Sequence, residues 1–125
     1  MADLRALIDA HDAGWNAQDL DAIMPTYADD VVFQNHTAGE DPVVGAAAVR
    51  AHLAGIFERW PDLRFSSRRL YVTDVVCVSE WTARATTPDG RRIEWDGVDV
   101  FPIRDGVIAR KDVYSTSHIA RPATA

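Results

Sequence analysis

The stretch WDGVDVF, residues 95–101, sets two carboxylates among four large apolar side chains. In an extended chain, side chains alternate between faces, so Trp95, Gly97, Asp99 and Phe101 share one side and Glu94, Asp96, Val98 and Val100 the other. Asp99 therefore keeps aromatic company, whereas Asp96 reads as an outward, solvated charge beside Glu94. A carboxylate in apolar surroundings is pushed toward its protonated form, and a general acid or base needs such a poised group near neutral pH. One further polar group joins it, Lys111 on the following strand. Asp99 and Lys111 are the candidates that strand facing brings together, a proton carrier and a polar anchor. The plainer reading makes them an ion pair that completes the sheet, and His11 on an apolar helix face and Asn35 at a strand end read as a hydrogen-bonded core residue and a cap on backbone.

The face each group takes depends on two turns. If Asp105–Gly106 is a two-residue turn, Asp99 lies opposite Asp112, an unfavourable like-charge pair. If RDG is instead a three-residue turn with Gly106 left-handed in a bulge, Asp99 lies opposite Lys111, Gly97 opposite Val113 and Phe101 opposite Ala109, which is the preferred register. At TPDG, 87–90, a longer turn with Pro88 second pairs Arg84 with Glu94 and Trp81 with Gly97. A two-residue turn there brings Glu80, Thr82 and Arg84 inward instead. A one-residue slip flips every side chain, so the facing of Asp112, Glu80 and Trp81 stays open.

The elements that must hold these groups follow from periodicity. Leu4, Leu7, Ile8, His11 and Trp15 recur at helical spacing and predict a helix over 3–17. Leu20, Ile23, Met24 and Tyr27 repeat the pattern behind Asp19, an N-cap residue type, with Pro25 shortening the helix. Val31–Phe33 mark a strand at 30–36, and TAGEDP a turn. The stripe Val49, Leu53, Ile56, Phe57, Trp60 predicts a helix from Ala46 to Trp60, closed by Pro61. Residues 63–73, 75–86, 91–103 and 107–118 read as strands joined by short turns, an antiparallel meander. The whole is an α+β domain over residues 1–120, helices on one face of a curved sheet, with 121–125 as a loose tail.

Composition narrows the partner. The 125 residues suit one domain, and no apolar run approaches the roughly 18 residues of a membrane span. The N-terminus lacks a basic leader and apolar core, so a cytoplasmic location is expected. A net charge of -6 without basic clusters argues against nucleic acid. One cysteine, Cys77, and four scattered histidines give no metal site, and no metal or other cofactor is expected. Small molecules or proteins remain as partners; Trp15, Tyr27, Phe33, Trp60, Trp81, Trp95, Phe101 and Val113 are the expected wall of a pocket that suits a small, largely apolar molecule.

Three segments, WNAQDLDAIMPTYADDVVFQN, GAAAVRAHLAGIFERWPDLRF and GVDVFPIRDGVIARKDVY, give in order a helix, acidic turn, strand, glycine-led helix, PDL, meander and DGxI. In that order the chain resembles the nuclear transport factor 2-like superfamily, within it the SnoaL-like, ketosteroid isomerase-like and limonene epoxide hydrolase-like branches. The resemblance implies a cystatin-like α+β barrel: a cone-shaped, curved antiparallel sheet wrapped around three N-terminal helices, with a pocket open at one end and often a homodimer through the sheet's outer face. The superfamily hosts isomerases, cyclases, hydrolases and pure binding modules, so fold alone does not decide function.

Residue by residue, the resemblance is uneven. The isomerases' general base is a first-strand aspartate, matched here by Asn35; the tyrosine and protonated aspartate of their oxyanion hole are matched by His11 and Asp99. In the hydrolases, Asn35 matches a water-holding asparagine and Phe33 replaces a tyrosine. Their arginine and aspartate fall near Glu80 and Thr82, and their last-strand aspartate within one residue of Asp112. SnoaL-like cyclases close rings by aldol chemistry with an acid/base aspartate and no cofactor, a role open to Asp99, or to Asp112 in the other register. The expected function is a SnoaL-like pocket protein that acts on or binds a small, largely apolar molecule, a cofactor-independent cyclase or isomerase working through an enol or enolate, with Asp99 as acid/base and His11, Asn35 and Lys111 as polar anchors, the expected catalytic set. A non-catalytic binding or dimerisation module and an epoxide hydrolase-like activity are the alternatives.

Overall fold

The computed structural model describes residues 3–124. Asp3 opens α1 (Leu4–Ala17), its carboxylate accepting from the Ala6 amide at 3.0 Å. Leu4, Ile8, His11 and Trp15 form its buried stripe, the spacing that the sequence predicts. Gln18, left-handed at φ 52°, turns the chain, and Asp19 caps α2 (Leu20–Ile23). Gly14 permits this tight corner, because a Cβ there would lie 2.8 Å from Ile23 Cγ1. Pro25 cuts α2 to about one turn, continued by the 3-10 turn Met24–Thr26.

β1 (Tyr27–Asn35) leads through β2 (Val43–Val44) into α3 (Ala46–Arg59), which buries Val49, Leu53 and Phe57. β3 (Arg64–Val72), β4 (Val76–Thr86), β5 (Arg92–Arg104), β6 (Val107–Ser115), a short 3-10 turn and β7 (Arg121–Pro122) follow. The sheet runs β2-β1-β6-β5-β4-β3, curved into an unclosed cone, with β7 joining β5 beyond the end of β6. Ile8, Ile23, Val31, Leu53, Phe101 and Ile108 are fully enclosed between the helices and the inner face. Among the described residues no helix is long and apolar enough to cross a membrane.

Strands β3 to β6 make the expected antiparallel meander. β1 departs from it: Phe33 and Asn35 run parallel beside Lys111 and Val113 of β6, so the sheet is mixed rather than antiparallel throughout. The connection explains this, since β1 reaches β6 through α3 and the whole meander, and only tight hairpins impose antiparallel pairing.

The hairpin around 87–91 takes the longer-turn register, with Arg84 opposite Glu94 and Trp81 opposite Gly97. The next hairpin corrects the expectation. Arg104 pairs with Val107, and Asp105 and Gly106 both have positive φ, 54° and 75°, so the turn has two residues and not three. Asp99 nevertheless avoids Asp112. Between the pairs Val100–Asp112 and Ile103–Ile108, two residues of β5 oppose three of β6, a bulge at 109–111. Asp99 lies opposite Val113 and Gly97 opposite Ser115, and Phe101 meets the bulge instead of pairing with Ala109. The offset from expectation is two residues, so Lys111 keeps the inner face. Ile103 donates its amide to Val75 at 2.9 Å, on the β4 side, which turns the hydrogen-free nitrogen of Pro102 toward β6 and the bulge.

The tail is not loose where it begins, because Arg121 and Pro122 pair with Glu94 and Ile93 of β5; Ala125 lies outside the described residues. Arg121 and Arg84 each approach Glu94 to 3.0 Å, so Glu94 is buried beneath two guanidinium groups rather than solvated. Asp96 takes Thr82 and Arg121 on the same outer face.

Candidate active site

Between α3, the last turn of α1 and the inner face of the sheet lies a cavity of about 520 Å³, the size of an ordinary small-molecule site. Trp15, Phe33, Phe65, Trp81 and Trp95 supply aromatic walls from α1, β1, β3, β4 and β5, and Trp60 adds another where α3 ends. Exposed Glu40, Arg59 and Ser117 line its mouth. Gly97 makes room for Trp81, because a Cβ there would come within 2.2 Å of the indole.

Two ionisable groups are set into the wall. Asp99 is 5% exposed and Lys111 4%. Lys111 Nζ lies 3.8 Å from Asp99 Oδ2, 3.5 Å from His11 Nε2 and 3.6 Å from the centroid of the Trp15 ring, a cation–π contact. Asp99 Oδ1 has no hydrogen-bond partner among the described residues. Burial pushes the Asp99 carboxyl above its usual range, against the pull of Lys111 and then His11. Burial likewise pushes Lys111 down, against Asp99 and Asp12. Both shifts favour the uncharged forms, so the ion pair and the neutral pair, which differ by the place of one proton, lie closer in energy than in water.

His11 stands behind this wall. Trp15 Nε1 donates to the Tyr27 hydroxyl at 3.2 Å, and that hydroxyl lies 3.1 Å from His11 Nε2, while Nδ1 lies 2.8 Å from Asp12 Oδ1. Burial holds the imidazole well below its usual pKa, and Lys111 adds to the effect, so the ring is neutral. Tyr27 then donates to Nε2, and Nδ1–H donates to Asp12, an assignment drawn from the donors available. Asp12 is itself raised to about 6, chiefly by burial and against Lys111. A rear chamber of about 90 Å³ opens among His11, Asp12, Asn16, Ser67 and Ser79, with Asp99 and Lys111 as the partition between it and the main cavity.

Of the expected residues, Asp99, Lys111 and Asn35 line the main cavity, as do Trp15, Phe33, Trp60, Trp81, Trp95 and Val113. Asn35 also caps backbone, its Oδ1 accepting from the Thr37 amide at 3.2 Å. Three expectations are corrected: His11 lines only the rear chamber, and Tyr27 and Phe101 are packed around its ring as core. Phe101 lies at the bulge, where the strand passes under α1. Asp112 faces outward to His36 at 2.8 Å and Arg110 at 2.9 Å, and Glu80 and Thr82 also take the outer side, so these three do not converge on the cavity. Sequence reasoning misses Ser79, Asp12 and Phe65. Ser79 was findable, since the register that sets Trp81 against Gly97 also sets Ser79 against Asp99; Asp12 carries no comparable signal.

Solved structures share this architecture. TerC, crystallised with polyporic acid, superposes with a TM-score of 0.83 at 20% identity, covering 93% of this chain and 93% of that one. SalBIII, described as an epoxide hydrolase/cyclase-like enzyme in pyran ring formation in the polyether salinomycin, gives 0.82 at 18% identity over 96% and 95%. A protein from Jannaschia sp. CCS1 assigned as a SnoaL-like polyketide cyclase gives 0.82 at 20% over 93% and 86%. At these identities the likeness is one of fold. No curated protein matches the sequence. The family model for the SnoaL-like domain matches residues 8–111, most of the helices and sheet that build the cavity, and the chain belongs to that family.

Proposed function

We propose that the cavity binds a small, flat, largely apolar molecule and moves a proton on it, as a cofactor-independent cyclase or isomerase working through an enol or enolate. The observation that carries this reading is Asp99: a buried carboxyl with one oxygen unpartnered, set in the wall of an aromatic cavity. Asp99 takes the proton from carbon beside a carbonyl. The Lys111 ammonium, 3.8 Å away, balances the charge that develops on oxygen. Asn35 has spent its carbonyl on Thr37, which leaves its amide hydrogens to orient the ligand. A thermal-shift screen of polyketide-like, terpenoid and steroid compounds tests binding, since a ligand of the folded state raises the melting temperature. With a substrate in hand, Asp99→Asn is expected to lower kcat by about a hundredfold. Unchanged turnover would remove Asp99 from the chemistry, and stabilisation without any turnover would favour a binding module.

The partner we propose is a second copy. Tyr114, 48% exposed, stacks on His36 at 4.4 Å beside half-buried Val98 and Val100, an apolar patch on the outer face of the sheet. Sedimentation equilibrium is expected to show a dimer that Tyr114→Asp converts to monomer; a monomeric wild type would sink the idea.

A further inference from the structure

Of the 13 Lys and Arg residues, Lys111 is the only lysine. The other twelve are arginine, yet the one ε-amine is enclosed in the cavity wall beside Asp99. Arginine would serve a permanent buried ion pair better, with a planar fork that grips a carboxylate twice and never gives up its proton. Lysine pairs less well but can become a nucleophile.

We propose that Lys111 is a nucleophilic amine that condenses with the carbonyl of an apolar aldehyde or ketone held in the cavity, with Asp99 as the acid that expels water. This rests on the cavity reading above and names its substrate class. Burial of the ammonium supports it, with Asp99 and Asp12 pulling the other way. The titratable groups around Nζ are Asp99 from β5 and His11 and Asp12 from α1, with Tyr27 of β1 behind His11.

In the reactive form the proton shared by the pair sits on Asp99, and Lys111 has a free lone pair. That lone pair forms the C–N bond as the C=O π electrons move onto oxygen. The carbonyl oxygen takes the Asp99 proton, the Asp99 carboxylate then recovers the proton that nitrogen releases, and a carbinolamine results. Nitrogen then drives out the hydroxyl, which takes the Asp99 proton and leaves as water. Amine, carbonyl and one proton go in; a protonated imine and water come out, beside an ionised Asp99. The C–H next to the imine carbon is then acidic, and Asp99 can remove it to give an enamine, a carbon nucleophile suited to ring closure.

The chain's single ε-amine makes the test clean. The full-length protein is incubated near neutral pH with 2-naphthaldehyde and sodium cyanoborohydride, which reduces an imine to a stable secondary amine. Intact mass and peptide mapping are expected to show one adduct on Lys111, heavier by the aldehyde less one oxygen, formed faster than any adduct on the N-terminal amine. Lys111→Arg keeps the cation and is expected to lose this adduct, and Asp99→Asn to slow it by about a hundredfold. An adduct confined to the N-terminus, or Lys111 labelling no faster than in urea-unfolded protein, would overturn the proposal. The carbonyl-free 2-methylnaphthalene separates the two readings. A melting temperature raised by both compounds without a Lys111 adduct removes the amine chemistry and keeps the cavity, whereas no rise and no adduct remove both.

Discussion

A Lys111→Met variant is expected to be most stable in mild acid and to weaken as the pH rises, by about 1.4 kcal/mol per pH unit, until it stands about 3–5 kcal/mol below the wild type at neutrality. Methionine fills the aliphatic volume and keeps a favourable contact with Trp15. What it removes is the charge. Asp99, already raised by burial with Lys111 opposing, loses its strongest counterweight and rises further. Through the window between the unfolded and folded pKa, the native state keeps a proton that the unfolded chain has released. The native state therefore binds more protons, so stability falls as pH increases, and the fall ends above the folded pKa. Adding Asp99→Leu should abolish the slope and return the double variant to near wild-type stability, since an apolar pair replaces a buried ionic one at little cost. Urea unfolding of the three variants across the acid range measures this. A Lys111→Met profile parallel to wild type would mean that Asp99 is not the buried carboxylate described.

Gly97→Ala is expected to cost about 3 kcal/mol and to abolish ligand binding, because the side chain it collides with cannot retreat into the sheet. The new Cβ would meet three indole atoms of Trp81 at 2.2, 2.4 and 2.7 Å. β5 is held on both sides here, Gly97 pairing with Trp81 of β4 and with Ser115 of β6, so the strand does not yield. The indole also stands edge-on to Phe65 at 4.9 Å. Its open direction is the cavity, which it would fill. Trp81→Leu in the Gly97→Ala background should recover much of the stability, and a double-mutant cycle by chemical denaturation reads the coupling. Additive losses would mean that the two residues do not share this contact.

Helices α1 and α3 are legible in the sequence because each buries a regular stripe, and Pro25 and Pro61 mark where helices stop. Asp99 and Lys111 on one inner face are legible too, though by a route that fails in its details. The turn is one residue shorter than expected, and the bulge on β6 adds a further one-residue offset; the sum is even, and an even offset preserves the face. One sign of the bulge stands in the sequence: Pro102, inside a central strand, where a missing donor is tolerated chiefly at a bulge. The parallel seating of β1, and with it the rear chamber around His11 and Asp12, depends on contacts between distant segments that no local pattern records.

That bulge decides more than geometry. Run straight from the same two-residue turn, β6 would bring Asp112 opposite Asp99 and send Lys111 to solvent, leaving two carboxylates to share one proton in the cavity. Whether this scaffold presents an amine beside an acid or a pair of acids is thus a matter of parity in one strand, set at the bulge opposite Pro102. Descent within such a fold can exchange one chemistry for the other with neither side chain replaced, simply by straightening or kinking a strand.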